Sequence, residues 1–194
     1  MRPMPLAVAP VLAPGSLAAY EQPVLHSGDL VLRPWAPGDA PAVAAAYDDP
    51  TIQHWHARSM TVTEAVNWIE AAAAQWGRET GAHWAVTDGA SLLGRMSLRS
   101  IDLTDGSAEV TYWVLPAARG RAVAPRALTT VSRWALEKAG LHRLELEHST
   151  SNQPSCAVAR KAGFVLEGTR RRSTLHADGW HDMHLHAVLA DEPR

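Results

Sequence analysis

Cysteine occurs once in these 194 residues, phenylalanine once and lysine twice, at Lys138 and Lys161. The single thiol, Cys156, excludes an internal disulfide and suits a reducing compartment, so the chain is expected in the cytoplasm. No apolar run approaches the roughly 18 residues that a membrane span needs. The metal-binding patterns His-Glu-x-x-His and Cys-x-x-Cys are missing. Ten histidines are present, yet on a strand His184 and His186 share one face while His181 points the other way. No metal is therefore expected, and Cys156 reads as a packing residue. Met1 to Gln22 is rich in Pro and Ala and lacks a cleavage-type signal. It is expected to be a flexible extension ahead of a domain over 23–194.

What the chain does have is ordinary for one soluble domain with a full core: 46% apolar and 20% charged residues. Arginine outnumbers lysine sixteen to two, which reads first as codon bias. The charge is uneven. Residues 119–172 hold eleven Arg or Lys against four Glu, a basic half that suits a polyanionic ligand. Eight tryptophans stand against one phenylalanine. Trp68, Trp76 and Trp134 fall at core positions, whereas Trp55 sits among polar neighbours and is a candidate pocket wall.

Residues 28–35 alternate as an edge strand, ended by Pro34 and Pro37. Asp39 caps a short helix over 40–47, and a second runs from about Thr63 to Glu79, with Val66, Ile69, Ala73 and Trp76 at helical spacing. Strands are expected over 83–87, 92–100 and 108–115, separated by the Asp88-Gly89 and Asp105-Gly106 turns. A loop and helix cover 119–139, a strand 143–148 and a short helix 154–161. Two closing strands, 164–174 and 181–189, flank Asp178-Gly179.

Two segments carry the strongest signal. Arg119-Gly120-Arg121-Ala122-Val123-Ala124 leads from a strand into a helix, an arrangement that turns free helix-start N–H groups towards phosphate oxygens. Asn152-Gln153-Pro154-Ser155 opens the short helix that stops at Gly163. Together with Leu32-Arg33-Pro34, Glu109 ahead of Tyr112-Trp113, Lys161-Ala162-Gly163-Phe164, Glu167-Gly168 and Gly179 followed by Asp182, they resemble the GNAT acyltransferase superfamily, in its RimJ/RimL-type branch. The resemblance covers roughly residues 30–189. It implies an α/β (α+β) fold: a mixed, mostly antiparallel sheet of six to seven strands flanked by about four helices.

The resemblance also implies acetyl-CoA as co-substrate and an N-acetyltransferase acting on a primary amine by direct attack. The acceptor is a protein or peptide N-terminus or a small amine. Arg119, Gly120, Arg121, Ala122, Val123 and Ala124 would cradle the pyrophosphate. Ala122 departs from the family's usual Gly, and its methyl group crowds the close approach of backbone to phosphate. Tyr112, Trp113 and Val114 would pair with the pantetheine arm, the Val114 N–H serving the thioester oxygen. Glu109 is the candidate base, acting through water, with a solvent-facing strand carboxylate as the alternative. Ser155 is the candidate acid, or else only a helix cap. Asn152 would hold the turn and a pantetheine amide. Trp55, Glu109, His148 and His186 would line the acceptor side, His186 alternatively the core.

Two further readings keep the fold. One takes the acyl or aminoacyl group from tRNA, motivated by Ala122 and by Arg170-Arg171-Arg172. The other is a non-catalytic binding module. The family pattern allows a monomer or a homodimer.

Overall fold

A computed structural model describes residues 8–192. Strands β1 (Leu25–Ser27) and β2 (Leu30–Pro34) lead into helices α1 (Ala40–Asp48), α2 (Pro50–His56) and α3 (Val62–Gly77). Three strands follow: β3 (Gly81–Thr87), β4 (Leu92–Asp102) and β5 (Ser107–Val114). The chain continues through α4 (Val123–Glu137), β6 (Arg143–Ser149), α5 (Gln153–Lys161) and the hairpin β7 (Val165–His176) and β8 (Gly179–Leu189). One eight-stranded sheet results, in the order β1-β2-β3-β4-β5-β6-β8-β7. Its pairings are antiparallel except β5 with β6.

The fold class is the expected one, with one strand and one helix more than the sequence suggested. The three residues of β1 are too few for alternation to show. The seven of α2 carry no readable helical repeat, and that helix starts because Asp49 accepts from the Thr51 and Ile52 N–H groups.

Strand parity sorts the sheet into two unlike faces. Trp84 of β3, Met96 and Leu98 of β4 and Val110 of β5 pack with Leu128, Val131 and Ala135 of α4. The opposite face packs Ala85 and Trp113 against Val43, Tyr47, Ile52 and Ile69 of α1–α3. By the same parity that second face also carries His83, Arg95, Ser97, Arg99, Glu109 and Thr111, in register across three strands. A covered face with so many polar groups cannot close as a dry core, and a cavity opens there.

The segment ahead of β1, expected to extend freely, is docked over its described part. Leu12 and Leu17 are each 5% exposed and belong to the α4-side core. The Glu79 carboxylate accepts from the N–H groups of Gly15 (2.6 Å), Leu17 (2.7 Å) and Ala18 (3.2 Å). The indoles of Trp76 and Trp84 donate to the Tyr20 and Pro23 carbonyls, both at 2.8 Å. A carboxylate capping three backbone donors does more than any one apolar contact to fix an otherwise irregular strap. Glu79→Gln is expected to cost about 1–3 kcal/mol and to open the segment before residue 22 to protease. Urea melts and limited proteolysis check both effects.

Candidate active site

The site is built on a parting of two strands. β5 pairs with β6 only at Ser107–Arg143, Ala108–Leu144 and Glu109–Glu145. Beyond that point β5 stays on β4 as far as Gly94–Val114, while β6 stays on β8 as far as Ser149–Met183. The Leu115 N–H donates to Leu93 across β4–β5 at 2.9 Å. By antiparallel alternation, Glu109, Thr111 and Trp113 therefore turn their backbone bonds to β4, and Tyr112 and Val114 turn theirs into the gap. Their carbonyls confirm it: Tyr112 O lies 3.2 Å from His56 Nε2, and Val114 O accepts from Arg119 Nε at 3.2 Å.

The loop after β5 sits at the wide end of the gap. Gly120 has φ +76° and Ala122, at the start of α4, φ +55°; no side chain caps this helix. Its first N–H groups, of Val123 and Ala124, are thus free to bind an anion. Ala122 adopts the left-handed conformation that the family's Gly takes without cost, at a strain of about 1–2 kcal/mol for an L-residue. Arg119 is held by the Val114 carbonyl and by Thr51 Oγ1 at 2.7 Å, tying α2 to the loop.

α5 forms the opposite wall. Asn152 is its N-cap and accepts from the Ser155 N–H at 3.1 Å. Ser155 is therefore not the cap. Its hydroxyl, 9% exposed as a residue, instead meets the Tyr112 hydroxyl at 2.8 Å. Burial pushes the Tyr112 phenol up to about 12, against the pull of that hydrogen bond, so it stays protonated. Behind these groups, the ligating atoms of His148, Cys156, His184 and His186 lie within 4.8 Å of one another. His148 borders the gap; His186, at 0% exposure, does not and stacks on His148 under α5.

A cavity of about 980 Å³ joins the gap to the polar sheet face. Glu109 lies there in an ion pair with Arg99. Trp55 packs edge-on against His176 and His181 of the β7–β8 hairpin, closing one side. Trp68, expected in the core, packs against the α1–α3 cluster and also borders the cavity, with Arg95 stacked 5.7 Å above its ring. Arg95 donates to Tyr47 Oη at 2.7 Å and Thr111 Oγ1 at 3.4 Å, and no carboxylate of the described residues pairs with it. Such a buried, unpaired charge costs several kcal/mol. Sequence reasoning placed His56 only as a polar neighbour of Trp55 and passed over Arg95, whose alternation Arg95-x-Ser97-x-Arg99 lies on a strand that the fold buries on both sides.

Residues 29–165 match the family model for the acetyltransferase (GNAT) domain. The chain belongs to the GNAT acetyltransferase family. It is 30% identical to YdaF of Bacillus subtilis (strain 168) over 103 residues and 27% identical to the ribosomal-protein-serine acetyltransferase of Escherichia coli (strain K12) over 100. Those matches cover 53% and 52% of this chain, and in each case 56% of the relative, so the chain spans about half the length of these curated relatives. The fold superposes on Mycobacterium smegmatis RimJ, solved in complex with CoA-disulfide, with a TM-score of 0.79 and 24% identity, covering 89% of this chain and 88% of that one. No helix of the described residues is long and apolar enough to cross a membrane.

Against the GNAT expectations, the fold brings together Tyr112, Val114, Asn152, Ser155, His148 and the 119–124 loop around one gap, with Glu109 and Trp55 on the adjoining cavity. Trp113 faces the α1–α3 core rather than the gap. Val114 and Glu109 lie five residues apart on one strand, roughly 17 Å, too far to serve one reacting centre.

Burial, with Arg95 nearby, pulls both His56 and His83 down to about 4 from an ordinary 6.5. Both are neutral in the fold and become protonated on unfolding below pH 6.5. Their contribution is complete above pH 6.5 and falls away as the pH drops towards 4, by up to about 1.4 kcal/mol per pH unit for each. Denaturant melts between pH 4.5 and 7.5 are expected to show this loss, and His83→Gln to reduce its slope.

Proposed function

We propose that this GNAT chain is a cytoplasmic N-acyltransferase that moves an acetyl group from acetyl-CoA to a primary amine by direct attack. The observation that carries the reading is the gap itself, in which the free N–H groups of Tyr112 and Val114 adjoin an uncapped helix start. An extended pantetheine arm of pantoate, β-alanine and cysteamine is about as long as four residues of strand, roughly 14 Å. With the pyrophosphate at Gly120–Ala124, the arm runs back along β5 past Val114 and brings the thioester towards Tyr112. The Glu109–Glu145 pairing occupies the backbone as far as the Val110 N–H. The Tyr112 N–H is then the first free donor for the developing oxyanion, in place of Val114.

The amine lone pair attacks the thioester carbon, and its proton leaves through water held by Glu109. The C–S bond breaks with its electron pair on sulfur. A thiolate of ordinary pKa, near 8.5, needs little more than a hydrogen bond, which the Ser155 hydroxyl, backed by the Tyr112 phenol, supplies. Burial makes every histidine bordering the cavity a weaker base than usual: His56 and His83 are pulled down to about 4, and His148 and His176 are lowered as well. At pH 7 an α-amine of pKa about 7.8 is roughly one-seventh neutral, whereas a lysine amine near 10.4 is neutral about once in 2,500. The site therefore favours α-amines, of a peptide N-terminus or of an amino-acid-like acceptor; the Escherichia coli relative is named a ribosomal-protein-serine acetyltransferase.

The tRNA-donor reading draws little from the fold, because Arg170 is paired with Glu147 and Arg119 with the loop and α2. Calorimetric titration with acetyl-CoA tests the main reading. Micromolar binding is expected, tighter in Ala122→Gly, which relieves the left-handed strain, and unchanged in Glu109→Gln and Ser155→Ala. Those two variants are expected to lower kcat by about 10²–10⁴-fold. Absence of binding in both wild type and Ala122→Gly would remove acetyl-CoA as the donor.

A further inference from the structure

We propose that the acceptor carries a carboxylate a short chain away from its amine, and that Arg95 receives it. This rests on the acyltransferase reading. Arg95 is 9% exposed, Ser97 1% and Trp113 4%, and all three border the cavity. Arg95 Nε, Ser97 Oγ and Trp113 Nε1 are buried without a hydrogen-bond partner. They sit in register on neighbouring strands, Arg95 opposite Trp113 and Ser97 opposite Thr111. Tyr47 and Thr111 give the guanidinium only neutral oxygens. Apart from the Tyr47 phenol, the groups acting electrostatically on Arg95 are the like charges of Arg58 and Arg99. Of the carboxylates bordering the cavity, Glu109 is taken by Arg99 and Glu147 by Arg170.

A buried cation with two unused N–H and O–H neighbours is a receptor for an oxyanion, and a planar carboxylate fits the fork of a guanidinium in two-point contact. Trp68 below the guanidinium and Trp113 beside it exclude water from that contact. Thr111 Oγ1, which Arg95 touches, is on the strand residue before Tyr112. The bound carboxylate therefore lies within a few bonds of the amine that attacks at the Tyr112 edge. A free amino acid and a peptide N-terminus with Asp or Glu at its first or second position present the same chemistry.

The experiment pairs acceptors with and without the carboxylate, compared per neutral amine because amidation also lowers the α-amine pKa: serine with serinamide, and the amidated dipeptides Ser-Glu with Ser-Gln. Wild type is expected to favour the carboxylate twin by at least about 10²-fold in kcat/KM; the pair that shows it tells the free amino acid from the peptide. Arg95→Met is expected to level the two twins and to raise the melting temperature, since it removes an uncompensated charge. Equal kcat/KM for charged and amide twins in wild type overturns the proposal. So does a melting temperature lowered by Arg95→Met, which makes the guanidinium a structural pin. Should no amine be acetylated at all, melting in millimolar serine against serinamide still decides: selective stabilisation by serine, absent in Arg95→Met, supports the anion site, and equal shifts refute it.

A second, independent observation is the cluster under α5. The geometry points to a zinc-class site formed by His148, Cys156, His184 and His186. Its atoms lie within 4.8 Å of one another. His148 donates Nδ1–H to the Ser149 carbonyl at 2.8 Å, which leaves its buried Nε2 as an unpartnered acceptor. That backbone-held tautomer is the one metal-ligating imidazoles adopt. His184 Nδ1 is likewise unpartnered, and the fully buried His186 turns one ring nitrogen to the Phe164 backbone and leaves the other for a ligand. Three imidazoles and a thiolate suit tetrahedral zinc. Bonds of about 2.0–2.3 Å give edges of roughly 3.3–3.7 Å, so the atoms draw in by about 1 Å. The ion would pin α5, which carries Asn152 and Ser155, to β6 and β8. After chelator dialysis, one Co²⁺ per chain is expected to bind and give thiolate-to-metal charge-transfer absorption. Cys156→Ser is expected to abolish that absorption and to weaken binding by about 100-fold. Absence of stoichiometric binding, or an unchanged spectrum in Cys156→Ser, overturns the site.

Discussion

The rest of the molecule depends on the end of pairing between β5 and β6. The sheet is in effect two leaves, β1–β5 and β6–β8, joined by three register pairs. Each leaf keeps its own ladder to the tip, so the natural twist of the strands opens the join instead of closing it. Near the tip, Gly94 holds the first leaf together: a Cβ there would lie 2.5 Å from the Trp113 carbonyl. Any larger residue would push β4 off β5 where the gap is widest. The parting leaves backbone donors with no partner inside the fold, and a ligand that pairs with them recovers what folding left unpaid.

The parts of this arrangement written in consecutive residues were legible in the sequence. The 119–124 loop, the Asn152–Ser155 helix start and the strand between them all stand where the motifs put them. What depends on covering elements was not legible. On β4 the alternation of Met96 and Leu98 with Arg95, Ser97 and Arg99 reads as a half-exposed strand. Only the placement of α1–α3 turns the polar face inward. The strap before β1 escaped for a related reason: Leu12 and Leu17 lack any period, and its Pro- and Ala-rich composition resembles that of a linker. The clustering of His148, Cys156, His184 and His186 is a product of tertiary structure alone. On their own strand only His184 and His186 share a face, His181 pointing the other way, and a residue from β6 and another from α5 complete the group.

The same distinction governs the charges. The sequence shows a basic half, which by itself suggests an exposed binding patch. In the fold, Arg126 pairs with Asp29, Arg143 with Glu145 and Glu167, and Arg170 with Glu147. These pairs are partly solvated and individually worth about 1 kcal/mol or less. Their effect is geometric, for they tie α4 to the β1–β2 turn and β6 to the outer strand β7. Arg95 is the opposite case. It is buried with no acidic partner among the described residues, so it costs stability rather than adding to it. A guanidinium placed there is explained better by what enters the cavity than by what surrounds it.

Stability and chemistry thus divide between the two sheet faces. The α4 side is filled by Trp84, Leu98, Val110, Leu128 and Val131 and supplies the conventional core. That core carries the cost of the other side, where His83, Arg95, Ser97 and Trp113 keep polar atoms unsatisfied in a cavity beside the reacting strand. Substitutions that make the second face more apolar should steady the fold while removing its selectivity. The converse holds on the α4 side, where a polar intrusion has no ligand to answer it.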